Sequence, residues 1–290
     1  MNRLITFLMF FNCLVLSAQD SLNTKKNDKF FTTSYGLMNA KYRDFATSPL
    51  FYSGPGFLFN LGNMRMTSKW ENVFELGLSF SLVSARIPKS SYLQAHTNAY
   101  FINTQFYDSW LIKIDKLSGE KYDVKLGGVL VSNFNSRLNP SFQNAGAGIE
   151  FLVNGMFSGK ICWDISRKSE KIRNLYFIKQ TLSPVKRSIA FQLNTGLLNM
   201  NFRPGYAYLS DGAINGSDTK WVSYFLSGHS WSVNGWRFGS RLEYTKYKPN
   251  GNGIKWSYIW DALNAPGKFE SLQVASHSIQ FTLMFNKNNK

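Results

Sequence analysis

The sequence is short of four things. Cysteine is almost absent, with only Cys13 and Cys162. Cys13 lies in an N-terminal apolar run with the features of a cleavable export signal. The mature chain then holds one thiol, which excludes an intrachain disulfide and a cysteine-based metal site. Histidine is scarce: His96, His229 and His277 stand far apart, and none has metal-ligand spacing. Acidic residues are few, 17 against 33 Lys+Arg. That balance suits anionic lipid headgroups, nucleic acid or an anion-lined pore. Long apolar runs are missing too. Beyond the N-terminus nothing approaches the ~18–20 apolar residues of a membrane helix, and no helical period outlasts two turns. Together with a slightly negative mean hydropathy, this excludes a helical membrane protein. It leaves a β-barrel open, because alternating strands average apolar and polar residues away.

Residues 1–18 have the parts of a secretory signal: Arg3, an apolar run from Leu4 to Leu16, then Ser17 and Ala18 before a cut. That run is too short to span a bilayer. Residues 19–56 are expected to be a leader that packs in or under the main fold. Its first part is polar and basic, and 40–56 has the Pro/Gly content of a loop.

Aromatics are abundant, at 16% of the chain. Alternation of period two recurs from residue 57 onward. It is clearest in 74–82, 122–126, 157–165, 189–197, 236–244 and 276–285. Weaker strands fill 57–66, 92–104, 106–115, 147–154, 172–181 and 219–229. The expected fold is all-β, a transmembrane antiparallel up-and-down barrel of about 12 strands over 57–285. Fourteen is the alternative, adding 30–38 and 254–260, and a polar tail occupies 286–290. Loop length orients it, since barrels of this kind have short periplasmic turns and longer outer loops. The tight connections 118–121, 154–156, 183–186 and 232–235 fall on one side. The longer 132–146, 166–171, 198–218 and 248–271 fall on the other, and the last strand descends to the periplasm. Trp110, Trp163, Trp221, Trp231, Trp236, Trp256 and Trp260 lie mostly near strand ends, as interfacial girdles do.

If the apolar faces meet lipid, the opposite faces carry Glu75, Asp123, Lys125, Glu150, Lys160, Asp164, Arg237, Arg241 and Glu243. An Arg or Lys facing mid-membrane lipid costs roughly 2–4 kcal/mol. These nine are therefore expected to line the lumen as a paired charge network. The alternative is a soluble sheet whose charges face water. A catalytic site is not evident. His229-Ser230 and His277-Ser278 are sequence neighbours on strands and point to opposite faces. Gly127-Gly128 and Gly146-Ala147-Gly148 precede no helix and are not phosphate loops. No cofactor is implied.

The signal, the alternating strands of membrane length and the Phe-ended last strand resemble a bacterial outer-membrane β-barrel. The assembly signal of that class runs polar-x-Gly-x-x-apolar-x-apolar. Ser278, Leu283 and Phe285 match its polar and apolar positions, Gln280 stands at the Gly, and five residues follow Phe285. The Ser17-Ala18-Gln19 junction and the Lys/Asn-rich composition resemble barrels of the Bacteroidota. The resemblance implies an integral place in the outer membrane of a Gram-negative cell. It implies the barrel-assembly machinery, outer-membrane lipid and lipopolysaccharide as partners, with Arg167, Lys168, Lys171 and Arg173 as an outer-loop lipopolysaccharide contact. Other outer-membrane or periplasmic proteins are expected partners, and the exported compartment argues against nucleic acid. Three functions follow as expectations: a non-enzymatic accessory or scaffold subunit of an outer-membrane complex (secretion, uptake or barrel assembly), a small anion-preferring diffusion channel, or a lipid-modifying enzyme.

Overall fold

A computed structural model describes residues 27–86, 96–175, 178–204, 229–267 and 270–288. The signal expected at 1–18 and the weak strand at 219–228 lie outside them. The described residues form thirteen strands: β1 (Asp28–Asp44), β2 (Tyr52–Met66), β3 (Trp70–Arg86), β4 (His96–Lys113), β5 (Tyr122–Leu138), β6 (Ala147–Asp164), β7 (Lys171–Leu175), β8 (Ile178–Leu182), β9 (Arg187–Pro204), β10 (His229–Val233), β11 (Trp236–Tyr247), β12 (Gly253–Ala265) and β13 (Leu272–Asn286). Ten of them close an antiparallel barrel in the order β1-β2-β3-β4-β5-β6-β9-β11-β12-β13, and β13 returns to β1. The short β10 pairs with β9 alone. It keeps the register of β11: Val233 faces Met200 and Phe238 faces Thr195. One strand line is thus broken at Asn234-Gly235, where Gly235 takes φ 95°, a conformation that favours glycine.

The class is as expected, but ten strands close the barrel and not twelve. The strands are longer, up to 18 residues. Asn154-Gly155-Met156, expected as a turn, lies inside β6. The described part of 92–104 merges with 106–113 into β4, and the described residues of 172–181 belong to the paired β7 and β8, outside the barrel sheet. Polar and small residues inside a strand resemble turns in the sequence. On a wall with a polar interior they are ordinary inward positions.

The leader assignment is corrected as well. Asp28–Asp44 is β1, and β2 begins at Tyr52. The segment 254–260, counted only in the fourteen-strand alternative, belongs to β12. The terminal strand closes against β1, from Phe30↔Asn286 to Asp44↔Leu272, and not against 57–66. Asn286, placed in the polar tail, is the last residue of β13.

Both termini emerge at one end, joined there by the connections 67–69, 114–121, 165–186 and 248–252. The opposite end receives 45–51, 139–146 and 266–271. The segments 166–171 and 248–252 were expected across from the termini; they lie beside them.

The alternation sorts the wall. On β3, Phe74, Leu76, Leu78, Phe80 and Leu82 point outward, while Glu71, Val73, Glu75, Ser81 and Val83 are buried inside. Phe74 to Leu82 covers eight steps, about 27 Å of strand. The wall is closely packed where strands cross. A Cβ on Gly127 would sit 1.9 Å from the Trp110 carbonyl oxygen of the neighbouring strand. Gly127→Val is therefore expected to destabilise the barrel by about 1–3 kcal/mol. The check is the fraction of refolded protein that keeps the compact, heat-sensitive electrophoretic mobility of a closed barrel.

Candidate functional site

The exterior is apolar and the interior polar, the reverse of a water-soluble barrel. On the last strand Ile279 and Phe285 are exposed outward, whereas Ser278, Gln280, Thr282 and Met284 are buried inward. The interior is therefore where this chain concentrates its polar chemistry. It is arranged in layers along the barrel.

Nearest the termini, Phe30, Met64, Val73 and Met284 form an apolar layer. Against it lies a seven-residue charge network. Glu71 accepts from Lys125 at 2.5 Å and from Lys160 at 2.6 Å. Lys160 continues to Glu243 at 3.0 Å, and Glu243 accepts from Lys255 at 3.0 Å. Arg241 holds Glu75 with both terminal nitrogens, at 2.9 and 3.3 Å, and stands 3.8 Å from Glu243. The Arg241 guanidinium also lies over the Tyr107 ring.

Midway, Arg237 donates two hydrogen bonds to Asp261, at 3.0 and 2.8 Å. It donates two more to the side-chain oxygens of Asn133 and Asn154, at 2.5 and 2.8 Å. Gln192 donates to Tyr107, Ser158 and Asn194. A polar cavity of about 110 Å³ opens here, with Asn60, Asn103, Asn135 and Gln280 in its lining. The buried Asn135 Oδ1 has no protein partner, and the cavity is roomy enough for water to serve it.

Towards the other end, Arg137 joins Asp44, at 2.7 Å, to Glu150. Arg203 donates to Asp44 at 2.9 Å and to the carbonyls of Ala265 and Glu270. Tyr42 and Tyr52 stack at 5.0 Å beside Phe101, and Phe142 packs edge-on to Tyr52. Tyr42, Tyr52 and Phe101 join Leu152, Leu263 and Leu272 in an apolar layer. Arg203 and Arg237 are each only 2% exposed and Glu150 is 0% exposed, so no wide water-filled path passes these layers.

Seven of the nine residues expected in the lumen lie there: Glu75, Lys125, Glu150, Lys160, Arg237, Arg241 and Glu243. Asp123 and Asp164 do not join them. Asp123 pairs with Lys113 at 2.6 Å at the rim, and Asp164 is exposed and accepts the Ser166 N–H. Asp123 is the second residue of β5 and Asp164 the last of β6, so the alternation that aims them inward leaves them at the rim. Sequence reasoning missed Asp44, Glu71, Arg137, Arg203, Lys255 and Asp261. Glu71 and Lys255 were within reach, since they continue the inward alternation of Glu75 and Ser257.

Arg167, Lys168, Lys171 and Arg173 lie in the β6–β9 connection, at the end where the termini emerge. The position expected for them, across the barrel from the termini, is therefore corrected, because β6 is one long strand where two were expected and the side of its connection is reversed. Of the histidines, His229 Nε2 is 2.8 Å from the Ile149 carbonyl oxygen, and His277 Nδ1 is 2.6 Å from the Tyr258 hydroxyl on the outer face. Among the described residues no group of three or more His, Cys, Asp or Glu could hold a metal ion.

No family model matches the chain, and no curated protein matches it. Among solved structures it is similar to the beta domain of the Bordetella autotransporter BrkA, with a TM-score of 0.32 at 9% identity over 89% of this chain and 100% of that one. It is also similar to the toluene transporter TodX of Pseudomonas putida, with a TM-score of 0.30 at 8% identity over 91% and 90% of the two chains. A third is an outer-membrane channel of Pseudomonas putida F1, with a TM-score of 0.28 at 7% identity over 92% and 98%. At these scores the likeness is one of barrel architecture, and the strand pairing carries the fold assignment by itself.

Proposed function

We propose that the chain is a non-enzymatic, integral outer-membrane β-barrel with a filled lumen, acting as an accessory or scaffold subunit of an outer-membrane complex. The outward apolar strand faces support the membrane setting. One observation carries the choice of scaffold over channel. The interior is packed with an apolar layer towards each end, and the charges beside and between these layers neutralise one another. Lys125, Arg137, Lys160, Arg203, Arg237, Arg241 and Lys255 stand against Asp44, Glu71, Glu75, Glu150, Glu243 and Asp261. The basic excess that motivates an anion channel is not in the lumen. The reconstituted barrel is expected to give no steady unitary current in a planar bilayer. Sustained anion-selective openings would overturn the scaffold reading and favour the channel. Gentle detergent extraction followed by mass spectrometry of co-purifying proteins tests the complex, and a monomer without partners would count against it.

A further inference from the structure

Among the described residues the interior holds seven cations against six acids, so their positive excess lies outside it. Segments 27–29, 65–69, 113–123, 164–175, 178–187, 246–252 and 287–288 meet the end where the termini emerge. They carry sixteen lysines and arginines against six acidic residues. At the opposite end, Lys41 lies over the Phe51 ring and Arg43 over Phe45 and Phe51. The charge is therefore a collar on one rim.

A second observation stands directly above that collar. Trp70, Trp110, Tyr122 and Trp163 project outward from β3, β4, β5 and β6, one strand after the next, close to this rim. Trp70 and Trp110 stack at 6.4 Å, and Tyr122 pairs with Trp163 across β5 and β6. Exposed Lys69, Lys116 and Lys121 sit on the turns just beyond. Amphipathic rings followed by amines is the order in which a bilayer passes from acyl chains to headgroups.

A third observation gives the collar a seat. An open apolar notch of about 440 Å³ lies on the outer wall, lined by Lys121, Trp163, Asp164, Ile165 and Ile189. The Asp164 carboxylate at its edge is engaged by the Ser166 N–H at 2.8 Å, and the charges of Lys168 and Lys186 reach it. The notch thus combines an aromatic and aliphatic wall with an amine at its mouth.

We propose that this rim is a binding site for an anionic glycerophospholipid, with the phosphate at Lys121, further lysines around it, and an acyl chain against Trp163, Ile165 and Ile189. The proposal rests on the membrane reading above and names the lipid that the terminus end selects. Charge complementarity fixes the headgroup class, and the apolar wall distinguishes a lipid from free phosphate.

The test is native mass spectrometry of the full chain, released from micelles holding equal amounts of phosphatidylglycerol and phosphatidylethanolamine with identical acyl chains. The expected result is retention of phosphatidylglycerol by a factor of about ten or more. Each substitution among Lys116→Gln, Lys121→Gln and Lys168→Gln should lower retention by about fivefold, while Lys41→Gln at the other end leaves it unchanged. Trp163→Ala should weaken retention of both lipids. Equal retention of the two lipids, or a triple lysine variant that binds like the wild type, would overturn the proposal. In a second mixture, of phosphatidylglycerol with lipid A, preferential retention of lipid A would overturn it too, since it assigns the collar to lipopolysaccharide. Flotation with phosphatidylcholine vesicles is read alongside. Failure to insert there would sink the membrane reading itself, whereas insertion without headgroup preference sinks only the lipid site.

Discussion

Arg137→Ala should lower the unfolding free energy by about 3–5 kcal/mol, the range for breaking a buried ion pair from one side. Arg137 is inside the wall, joined to Asp44 of β1 and Glu150 of β6. Removing it leaves two carboxylates without their shared cation. Glu150 has no route to water at 0% exposure, and its Oε2 already lacks a protein partner. Arg203 can still serve Asp44, so the uncompensated charge falls mainly on Glu150. Denaturant unfolding in micelles measures the effect. The double variant Arg137→Met, Glu150→Gln removes the orphaned charge, leaves Asp44 to Arg203, and should recover most of the loss. A single-variant loss below about 1 kcal/mol would mean that the network is screened by water, and the filled-lumen description would fail with it.

Leu78→Arg is expected to cost about 2–4 kcal/mol when the barrel is unfolded from lipid. Leu78 points outward from the middle of β3 and is 52% exposed. On a soluble protein a change at so exposed a site shifts stability by only about 0.5 kcal/mol in either direction. The two environments therefore predict different outcomes for the same residue. A neutral result in phospholipid vesicles would place the outer wall in water and end the membrane assignment.

The facing of the wall was legible because it depends only on period two. Ile279 and Phe285 outward, with Ser278, Gln280 and Thr282 inward, follow from alternation alone, and Glu75, Arg237 and Arg241 were placed inside by the same rule. Strand number was not legible in this way. Asn154, which resembles a turn residue, is an inward side chain held by Asn199 of the neighbouring β9 and by Arg237 of β11, partners 45 and 83 residues away in the chain. Of the first strand, 30–38 was counted only in the fourteen-strand alternative, and its far end was hidden for a similar reason. Asp44, at its end, follows Lys41 and Arg43 and precedes a Pro/Gly-rich stretch, so its segment resembles a loop. Its burial depends on Arg137 and Arg203, which are distant in sequence. The interior network likewise joins residues from strands far apart in the chain. Sequence spacing names the charges but not their pairing: alternation reaches Glu71 and Lys255, but only the structure joins them to Lys160 and Glu243.

The pairing of the first strand with the last also sets the order of events in assembly. Ser34 and Thr282 share a hydrogen bond across 248 residues of chain, and the Lys287 N–H bonds the Lys29 carbonyl beside the rim. A seam between the two extremes of the sequence cannot form until nearly the whole polypeptide has arrived. Its closure must follow the hairpins between neighbouring strands, whose loops are short and close quickly. Until then β1 and β13 each present an unpaired edge, the kind of surface to which a foreign strand can add. The same proximity makes the seam a natural place to join the ends of the chain. A circularly permuted barrel opened between two other strands would keep every wall contact, make this seam a local hairpin and move the long-range closure to the new opening.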